Sequence, residues 1–269
     1  MAVAEVQACL ASLEAAVGRH GSAVVAFSGG VDSALVAAVA HRVLGPRMLA
    51  VTAHSPSLPA RDRDEAAALA AEVGFPHRVV ETHELANPAY AANPANRCYF
   101  CKDELFTHLG AVAREHGLAA VLDGFNADDR HDHRPGHQAA LAHGAASPLA
   151  EAGLGKAEVR ALARHLGLRV WDRPAAPCLA SRIPYGTPVT PEALARIEAA
   201  EQVLRGLGVL GGRVRHHGDV ARVEVPPDQL AWAFSQREAL VVGLKAAGYL
   251  FVALDLEGYR LGSLNAALR

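Results

Sequence analysis

The chain has 269 residues, of which 51% are hydrophobic and 20% charged, and its formal net charge is −2. This composition is typical of a globular protein with a substantial core, long enough for one large domain and a smaller one. The sequence has no apolar run of membrane-spanning length, and its near-neutral charge without a Lys/Arg run argues against a nucleic-acid partner.

The first segment of the chain predicts an amphipathic helix that carries Glu5 and Glu14. A charged helix of this kind is not a signal peptide, so the sequence predicts a cytoplasmic protein. In that reducing compartment the four cysteines would serve as metal ligands, reactive thiols or packing residues rather than as a disulfide framework.

Short apolar runs then alternate with segments of helical periodicity. Strands are predicted at 23–27, 48–55, 78–81 and just before Asp123, and helices at 61–73, at 103–116 and in the segment that ends at Leu44. This order is typical of an α/β fold with a doubly wound, mostly parallel sheet. We assign it to a first domain at residues 1–175.

A proline-rich segment at 171–194 interrupts this pattern and contains Cys178. Beyond it the sequence predicts a helix, a hairpin, a long helix and a last strand, at 191–207, 213–225, 228–247 and 250–260. We therefore predict a smaller α+β domain at residues 176–269, which includes the Cys178 loop and serves substrate binding and oligomerisation.

The loop between the first strand and its helix reads Ser28, Gly29, Gly30, Val31, Asp32 and Ser33. Adjacent glycines let the backbone approach a ligand closely, and the helix N-terminus presents N–H groups and the positive end of its dipole. The loop lacks the lysine of a Walker A motif. It is therefore predicted to be a phosphate cradle of another kind, the alternative being an ordinary turn in which Asp32 and Ser33 cap the helix.

Ligands of doubly wound sheets bind beyond the carboxyl ends of the strands. Phe27, Thr52 and Asp123 are three such ends in the predicted sheet. We therefore expect Phe27, Thr52, Gly124 and Asn126 to meet the Gly29–Gly30 loop at one crevice.

The cysteines suggest a second kind of chemistry. Cys98 and Cys101 form a Cys-x-x-Cys pair, which alone is weak support for a redox or metal site. With Cys178 the chain has three candidate cysteine ligands. Three thiolates suit an iron–sulfur cluster in which one iron has no protein ligand, whereas a zinc site requires a fourth ligand. Cys178 is alternatively a thiolate nucleophile or a buried structural thiol, and Cys9 is assigned to packing.

The three histidines His131, His133 and His137 are interpreted as solvent-facing.

Seven segments together resemble one known family. They are FSGGVDS at 27–33, NRCYFCKDELF at 96–106, DGFNADDRHDHRPG at 123–136, SPLAEAGLGKAEVR at 147–160, PCLASRIPYG at 177–186, RVRHHGDVARVEV at 213–225 and GYRLGSLN at 258–265. The sequence resembles the LarE family, sulfur transferases of the PP-loop ATP pyrophosphatase superfamily that build the nickel-pincer cofactor of lactate racemase. One departure is Gly155, which stands where the family usually has Thr.

The resemblance implies a two-step reaction. ATP adenylylates a carboxylate of pyridinium-3,5-biscarboxylic acid mononucleotide and releases pyrophosphate into the loop, and a sulfur nucleophile then displaces AMP to give a thiocarboxylate. Asp32, with Asp128 or Asp129, would hold Mg²⁺.

The resemblance also assigns residues of the second domain. Arg213 and Arg215 match the pair that binds the substrate phosphate, and their alternation along a strand puts both on one face. Ser181 and Arg182 would line the same pocket, with Glu201 as a metal or substrate contact.

The sulfur source divides the family. In one branch a cysteine matching Cys178 gives up its own sulfur, and in the other Cys98, Cys101 and Cys178 hold a [4Fe-4S] cluster that carries the sulfide. Because all three are present, the resemblance implies the cluster-bearing branch, in a homo-oligomer. A PP-loop tRNA thiolase, an amide-forming PP-loop synthetase and a non-catalytic nucleotide-binding module are the alternatives.

Overall fold

The computed structural model describes residues 2–131, 135–174, 176–209, 211–260 and 262–264, without the side chain of His131. His133 lies outside the described residues. The chain forms two compact units, Met1–Glu84 with Asn96–Ala176 and Leu85–Ala95 with Pro177–Arg269. The sequence places a domain boundary at residues 175 and 176, close to the last crossing between the units. The grouping of Leu85–Ala95 with the second unit is not part of that prediction.

The first unit is built from alternating strands and helices. Its strands are β1 (Ala23–Ala26), β2 (Met48–His54), β3 (His77–Glu81) and β4 (Ala120–Leu122). Its helices are α1 (Val3–Gly18), α2 (Val31–Leu44), α3 (Ala60–Val73), α5 (Arg97–Glu115), α6 (Pro135–Ala142), α7 (Pro148–Glu151) and α8 (Lys156–His165). Among the described residues no helix is long and apolar enough to cross a lipid bilayer.

The four strands are parallel and lie in the order β3-β2-β1-β4. Successive side chains of a strand point to opposite faces, and both faces of this sheet are covered. Ala23 and Val25 of β1 pack into a core with α1, α2 and α8. Val24 packs on the other face with Leu109 and Val112 of α5. The predicted doubly wound α/β fold is confirmed.

The strand order reverses between β1 and β4. β2 and β3 extend the sheet on one side of β1, whereas β4 pairs with β1 on the other side, with Val24 opposite Val121. In doubly wound sheets a crevice opens at the carboxyl ends of the strands where the order reverses. The loops that follow β1 and β4 therefore face each other at this point.

The second unit is a small α+β structure. Its helices are α4 (Pro88–Ala91), α9 (Pro191–Gly206), α10 (Leu230–Ser235) and α11 (Arg237–Ala246), and its strands are β5 (Arg213–His217), β6 (Val220–Glu224) and β7 (Phe251–Leu254). β5 and β6 form the predicted antiparallel hairpin, and β7 joins β6 in parallel. Leu204 of α9, Val223 of β6 and Leu244 of α11 meet in its core.

Two helices differ from the sequence-based expectation. α5 begins at Arg97, six residues before the predicted start, so Cys98 and Cys101 are helical and share one face. The long helix predicted at 228–247 is divided at Gln236, whose backbone has φ −94° and ψ 16°, outside the α-helical range. Hydrophobic periodicity continues through such a break, so the sequence pattern does not reveal it.

Candidate nucleotide site and thiol loop

The Ser28–Ser33 loop turns tightly between β1 and α2. Gly29 has φ +73°, a conformation that favours glycine, and a Cβ there would lie 3.1 Å from the Cβ of Ala66 in α3. Gly30 is the N-cap of α2 and has no capping side chain. The first N–H groups of α2 therefore face the loop without a side-chain cap, which leaves them for an anion.

Two hydroxyls hold this loop in shape. The Ser33 hydroxyl accepts a hydrogen bond from the backbone N–H of Ser28 and donates to the carbonyl of Gly30, each at 3.1 Å. The Oγ atoms of Ser28 and Ser33 also lie 3.1 Å apart. Ser33 is buried, whereas Ser28 is exposed at the loop surface. The loop is thus preorganised from within, with Ser28 facing out.

Lys156 supplies the cation that the loop itself lacks. Its Nζ lies 2.5 Å from Oδ2 of Asp32, and Oδ1 of Asp32 accepts a hydrogen bond of 3.1 Å from Nδ2 of Asn126. Sequence reasoning missed Lys156. The signal was the loop without a lysine combined with a lysine at the first position of the helix in GLGKAEVR.

The turn after β4 packs directly on the start of α2. A Cβ at Gly124 would lie 2.9 Å from the backbone N of Ser33, so only glycine allows this approach. The buried Asn126 organises the turn, since its Oδ1 accepts from the N–H groups of Asp128 and Asp129. The expected meeting of Gly124 and Asn126 with the loop is observed.

Two other strand ends lie at the same edge of the sheet. The Thr52 hydroxyl donates to the carbonyl of Phe27 at 2.7 Å and lies 2.8 Å from Nε2 of His77. Burial lowers the pKa of His77, which favours the neutral imidazole. Asp123 is also buried, and desolvation raises the pKa of its carboxyl. Thr52 and Phe27 therefore shape the edge through contacts with each other, and Thr52 is almost fully buried.

Asp128 takes over the capping of α8. Its Oδ2 accepts a 2.7 Å hydrogen bond from the backbone N–H of Lys156, at the start of that helix. A Cβ at Gly155 would lie 2.7 Å from Oδ1 of Asp128, so the glycine makes room for this carboxylate. Glycine therefore replaces the usual Thr at position 155 in a helix whose N-terminus is capped by Asp128 from another segment.

The residues present fit a Mg²⁺ ion that is shared with a nucleotide. Mg²⁺ takes one or two protein carboxylates, phosphate oxygens and water, so it does not need a closed group of protein ligands. Asp32 stands at the loop and fits this role. Asp128 is engaged at α8, and Asp129 accepts from the backbone N–H of Asn126.

The three predicted cluster ligands are divided between the units. Cys98 and Cys101 lie in the first turns of α5, in the first unit, with Cys98 exposed and Cys101 half-buried. Cys178 belongs to the second unit and is half-buried. Within the described ranges, no three His, Cys, Asp or Glu side chains are grouped as a metal site.

Arg213 and Arg215 lie on one face of β5, as predicted, but in different surroundings. Arg215 is buried and bonds Glu224, the carbonyl of Ser181 and the hydroxyl of Ser263. Arg213 donates to the carbonyl of Gly212 and lies over the ring of Tyr259, without an ion pair among the described residues. Burial and nearby Arg182 lower the pKa of Arg213. Arg213 is therefore the guanidinium of this pair that is available to an anion.

Arg182 and Glu201 form a buried ion pair next to Cys178. Nε and Nη2 of Arg182 donate to the two carboxylate oxygens of Glu201 at 2.8 and 3.0 Å. Nη1 of Arg182 donates to the hydroxyl of Ser181 and to the carbonyl of Cys178. A metal or substrate contact by Glu201 would require this pair to open.

Histidine 137 is the one predicted solvent-facing histidine whose side chain the structure describes. Its ring stacks on Phe125, with the ring centroids 3.5 Å apart. It thus packs on the turn that carries Gly124 and Asn126.

Comparison with known proteins agrees with this geometry. The asparagine synthase family model matches residues 10–173, which cover most of the first unit together with the Leu85–Ala95 segment of the second. The pyridinium-3,5-bisthiocarboxylic acid mononucleotide synthase of Lactiplantibacillus plantarum is 38% identical over 96% of this chain and 94% of its own length. An uncharacterised protein of Synechocystis is 49% identical over 93% of the chain, and one of Methanocaldococcus jannaschii is 27% identical over 88%.

The glycine loop, the Asp32 carboxylate and the match along nearly the whole chain agree with one another. The chain belongs to the LarE family of the PP-loop ATP pyrophosphatase superfamily.

Proposed function

We propose that this protein is an ATP-dependent sulfur transferase that converts a carboxylate of pyridinium-3,5-biscarboxylic acid mononucleotide to a thiocarboxylate, for the nickel-pincer cofactor of lactate racemase. The similarity to a mononucleotide synthase over 96% of the chain supports the substrate class. The observation that carries the proposal is the Asp32–Lys156 pair beside an uncapped helix N-terminus.

In the first step a substrate carboxylate oxygen attacks the α-phosphorus of ATP. A new P–O bond forms, and the bond to pyrophosphate breaks. The N–H groups at the start of α2 and the ammonium of Lys156 stabilise the negative charge that develops on the leaving group. Asp32 would hold a Mg²⁺ ion, which would supply further neutralisation of this charge. Lys156 moves from Asp32 to the phosphate oxygens as the nucleotide binds.

In the second step a sulfur nucleophile attacks the acyl carbon, and AMP leaves with the bonding electrons. We propose Cys178 as this nucleophile: its thiolate forms a thioester as AMP leaves, and loss of the Cys178 α-proton to water then breaks the Cβ–Sγ bond, which leaves the thiocarboxylate on the substrate and dehydroalanine in the chain. The [4Fe-4S] cluster on Cys98, Cys101 and Cys178 remains a prediction, and no metal-binding group of three or more side chains is found among the described residues. Anaerobic iron and sulfide analysis of the full chain tests it: stoichiometric iron supports a cluster, and conversion of Cys178 to dehydroalanine supports a sacrificial cysteine.

The substrate phosphate is assigned to Arg213. A half-buried guanidinium without an ion pair among the described residues gains a partner when a phosphate binds. Arg215 contributes indirectly, because its hydrogen bonds to Glu224 and Ser181 fix the neighbouring strand and loop.

The test is pyrophosphate release by the purified full-length protein with ATP, Mg²⁺ and the dicarboxylate mononucleotide. We expect release that depends on this substrate and is absent with nicotinic acid mononucleotide, which lacks the second carboxylate. Mass spectrometry should detect the thiocarboxylate. The proposal is contradicted if pyrophosphate is released at the same rate with and without the mononucleotide, or if no pyrophosphate is released under any condition.

A further inference from the structure

Three buried side chains bind the backbone of the segment that follows Pro177. This segment, residues 177–187, is called the Cys178 loop. Arg182 donates to the carbonyls of Pro177 and Cys178, at 2.5 and 3.0 Å. Arg215 donates to the carbonyl of Ser181 at 3.0 Å. Asn93 serves the far end of the loop.

Asn93 holds the far end through its side-chain amide. Its Nδ2 lies 2.8 Å from the carbonyl oxygen of Pro184 and 2.9 Å from that of Thr187. Its own carbonyl accepts the N–H of Gly186. Asn93 is fully buried and has φ +55°, a left-handed conformation that asparagine adopts at low cost. Asn93 and Arg215 thus tie the loop to residues outside it, whereas Arg182 binds its first residues from within.

Arg182 has little capacity left for a substrate. Its Nε and Nη2 are bonded to Glu201, and its Nη1 is bonded to the hydroxyl of Ser181 and to two carbonyls. Only 3% of Arg182 is exposed. Of the five N–H groups of a guanidinium, these contacts leave one Nη2 hydrogen. A substrate contact through any other N–H of Arg182 would require the loss of an existing bond.

Glu201 connects this guanidinium to the rest of the unit. Besides Arg182, its Oε1 accepts a hydrogen bond of 3.2 Å from the backbone N–H of Val214 in β5. Glu201 itself lies on α9 and is 5% exposed. One carboxylate thus joins a helix, a strand and the Cys178 loop, and buried pairs of this kind hold a single geometry because breaking them is costly.

We infer that Arg182, held by Glu201, is a positioning residue that sets the orientation of Cys178 and does not bind substrate. This inference rests on the proposed role of Cys178 in sulfur transfer. In this assignment Arg213 binds the substrate anion, and Arg182 fixes the geometry of the loop. Loss of the hydrogen bonds of the Arg182 guanidinium should slow the step that uses the thiol and leave adenylylation in the other unit intact.

The test compares Arg182→Lys and Glu201→Gln with the wild-type full chain. Iodoacetamide alkylation of each cysteine is followed by peptide mass spectrometry, with Cys9 as the internal reference. We expect the alkylation rate of Cys178 to change by roughly tenfold or more and the single-turnover rate constant of sulfur transfer to fall roughly 10- to 100-fold, because small displacements of a reacting group are that costly. Substrate-dependent ATP–pyrophosphate exchange and its KM for ATP should stay within about twofold of wild type.

The matched controls are Arg237→Lys and Glu238→Gln, the same changes at an exposed pair of the same unit, and they should change neither rate. An unchanged Cys178 alkylation rate in a folded variant overturns the inference, as does an equal loss of both reaction steps. If the variants do not fold, hydrogen exchange of the wild type decides. The N–H groups of Ser181 and Ile183 should then be protected like those of β5, and exchange at unfolded-chain rates overturns the inference. Alkylation and exchange do not need turnover, so they remain decisive if the proposed function fails.

Discussion

Asp32 and Lys156 form an ion pair across a separation of 124 positions in the chain. The side chain of Lys156 is 42% exposed and that of Asp32 22%. A pair with this exposure contributes only about 0–1 kcal/mol to stability. Its significance is therefore functional, because the same ammonium can move from a carboxylate to a phosphate oxygen with little change in folding energy.

Replacement of Lys156 tests this interpretation. For Lys156→Ala we expect kcat/KM for pyrophosphate release to fall about 10²- to 10³-fold, the usual loss when one preorganised group that stabilises transition-state charge is removed. The unfolding midpoint should stay near that of the wild type, since the pair is partly exposed. Lys245→Ala, at an exposed lysine of α11, is the control and should retain full activity. Wild-type kinetics in Lys156→Ala would remove the lysine from the reaction.

Single residues also show where the sequence is informative. The Ser28–Ser33 loop and the turn at Gly124 could be placed beforehand, because each follows a strand whose end is marked by its apolar run. The contacts of Lys156 and Arg182 could not, because each depends on a partner brought near by tertiary structure. Both arginines of β5 share a predicted face, yet only Arg215 has an ion pair among the described residues, and its partner Glu224 lies on the next strand.

At the scale of elements, helices α9 and α11 pack through a glycine. A Cβ added at Gly243 would overlap both methyl groups of Val203. By contrast, a Cβ at Gly206, the last residue of α9, would meet nothing within 4 Å. The structure therefore has no room for a side chain at Gly243 but leaves room for one at Gly206.

Substitution of these two glycines should have opposite effects on stability. For Gly243→Ala we expect a loss of about 1–3 kcal/mol, typical of overpacking in a filled interface. For Gly206→Ala we expect a gain of about 0.4–1 kcal/mol, because alanine lowers the entropy of the unfolded chain. Denaturant unfolding followed by circular dichroism measures both. Equal effects at the two positions would mean that α9 and α11 do not pack this closely.

Elements were predicted well where their pattern is local. The alternation of β1 to β4 with helices predicts the parallel sheet, because buried strands and amphipathic helices differ in period. The early start of α5 and the break at Gln236 were missed. In both places the residue types suit a helix and a loop about equally, so packing decides between the two.

At the scale of the whole molecule, each unit holds histidines with a lowered pKa. Burial lowers the pKa of His77 in the first unit and of His216 and His217 in the second. Their unfolded forms therefore bind protons more readily than their folded forms as the pH falls below about 6.5. By linkage, the free energy of unfolding is highest above that pH and decreases as the pH falls toward the lowered values.

We expect the unfolding midpoint to fall when the pH is lowered from neutrality to about 5.5, a range in which unfolded histidines gain protons. His77→Gln and His216→Gln should each weaken this dependence, because each removes one group that titrates differently in the two states. A midpoint that does not vary over this range contradicts the expectation.

The domain organisation follows from long-range bonds more than from local pattern. The composition change at the proline-rich segment marks the crossing near residue 176, whereas nothing in the sequence of Leu85–Ala95 distinguishes it from its surroundings. That segment joins the second unit through Asn93 and Ala91, which bond residues about ninety positions later in the chain.

This exchange of a segment has a consequence for biosynthesis. Asn93 leaves the ribosome 91 residues before Pro184 and 94 before Thr187, whose carbonyls its amide binds. The first unit can fold around its sheet while translation continues, but residues 85–95 must wait for the partners that they bind in the second unit. The second unit can complete its folding only when nearly the whole polypeptide has been made. A fragment that begins at Pro177 would lack the asparagine that secures its own thiol-bearing turn.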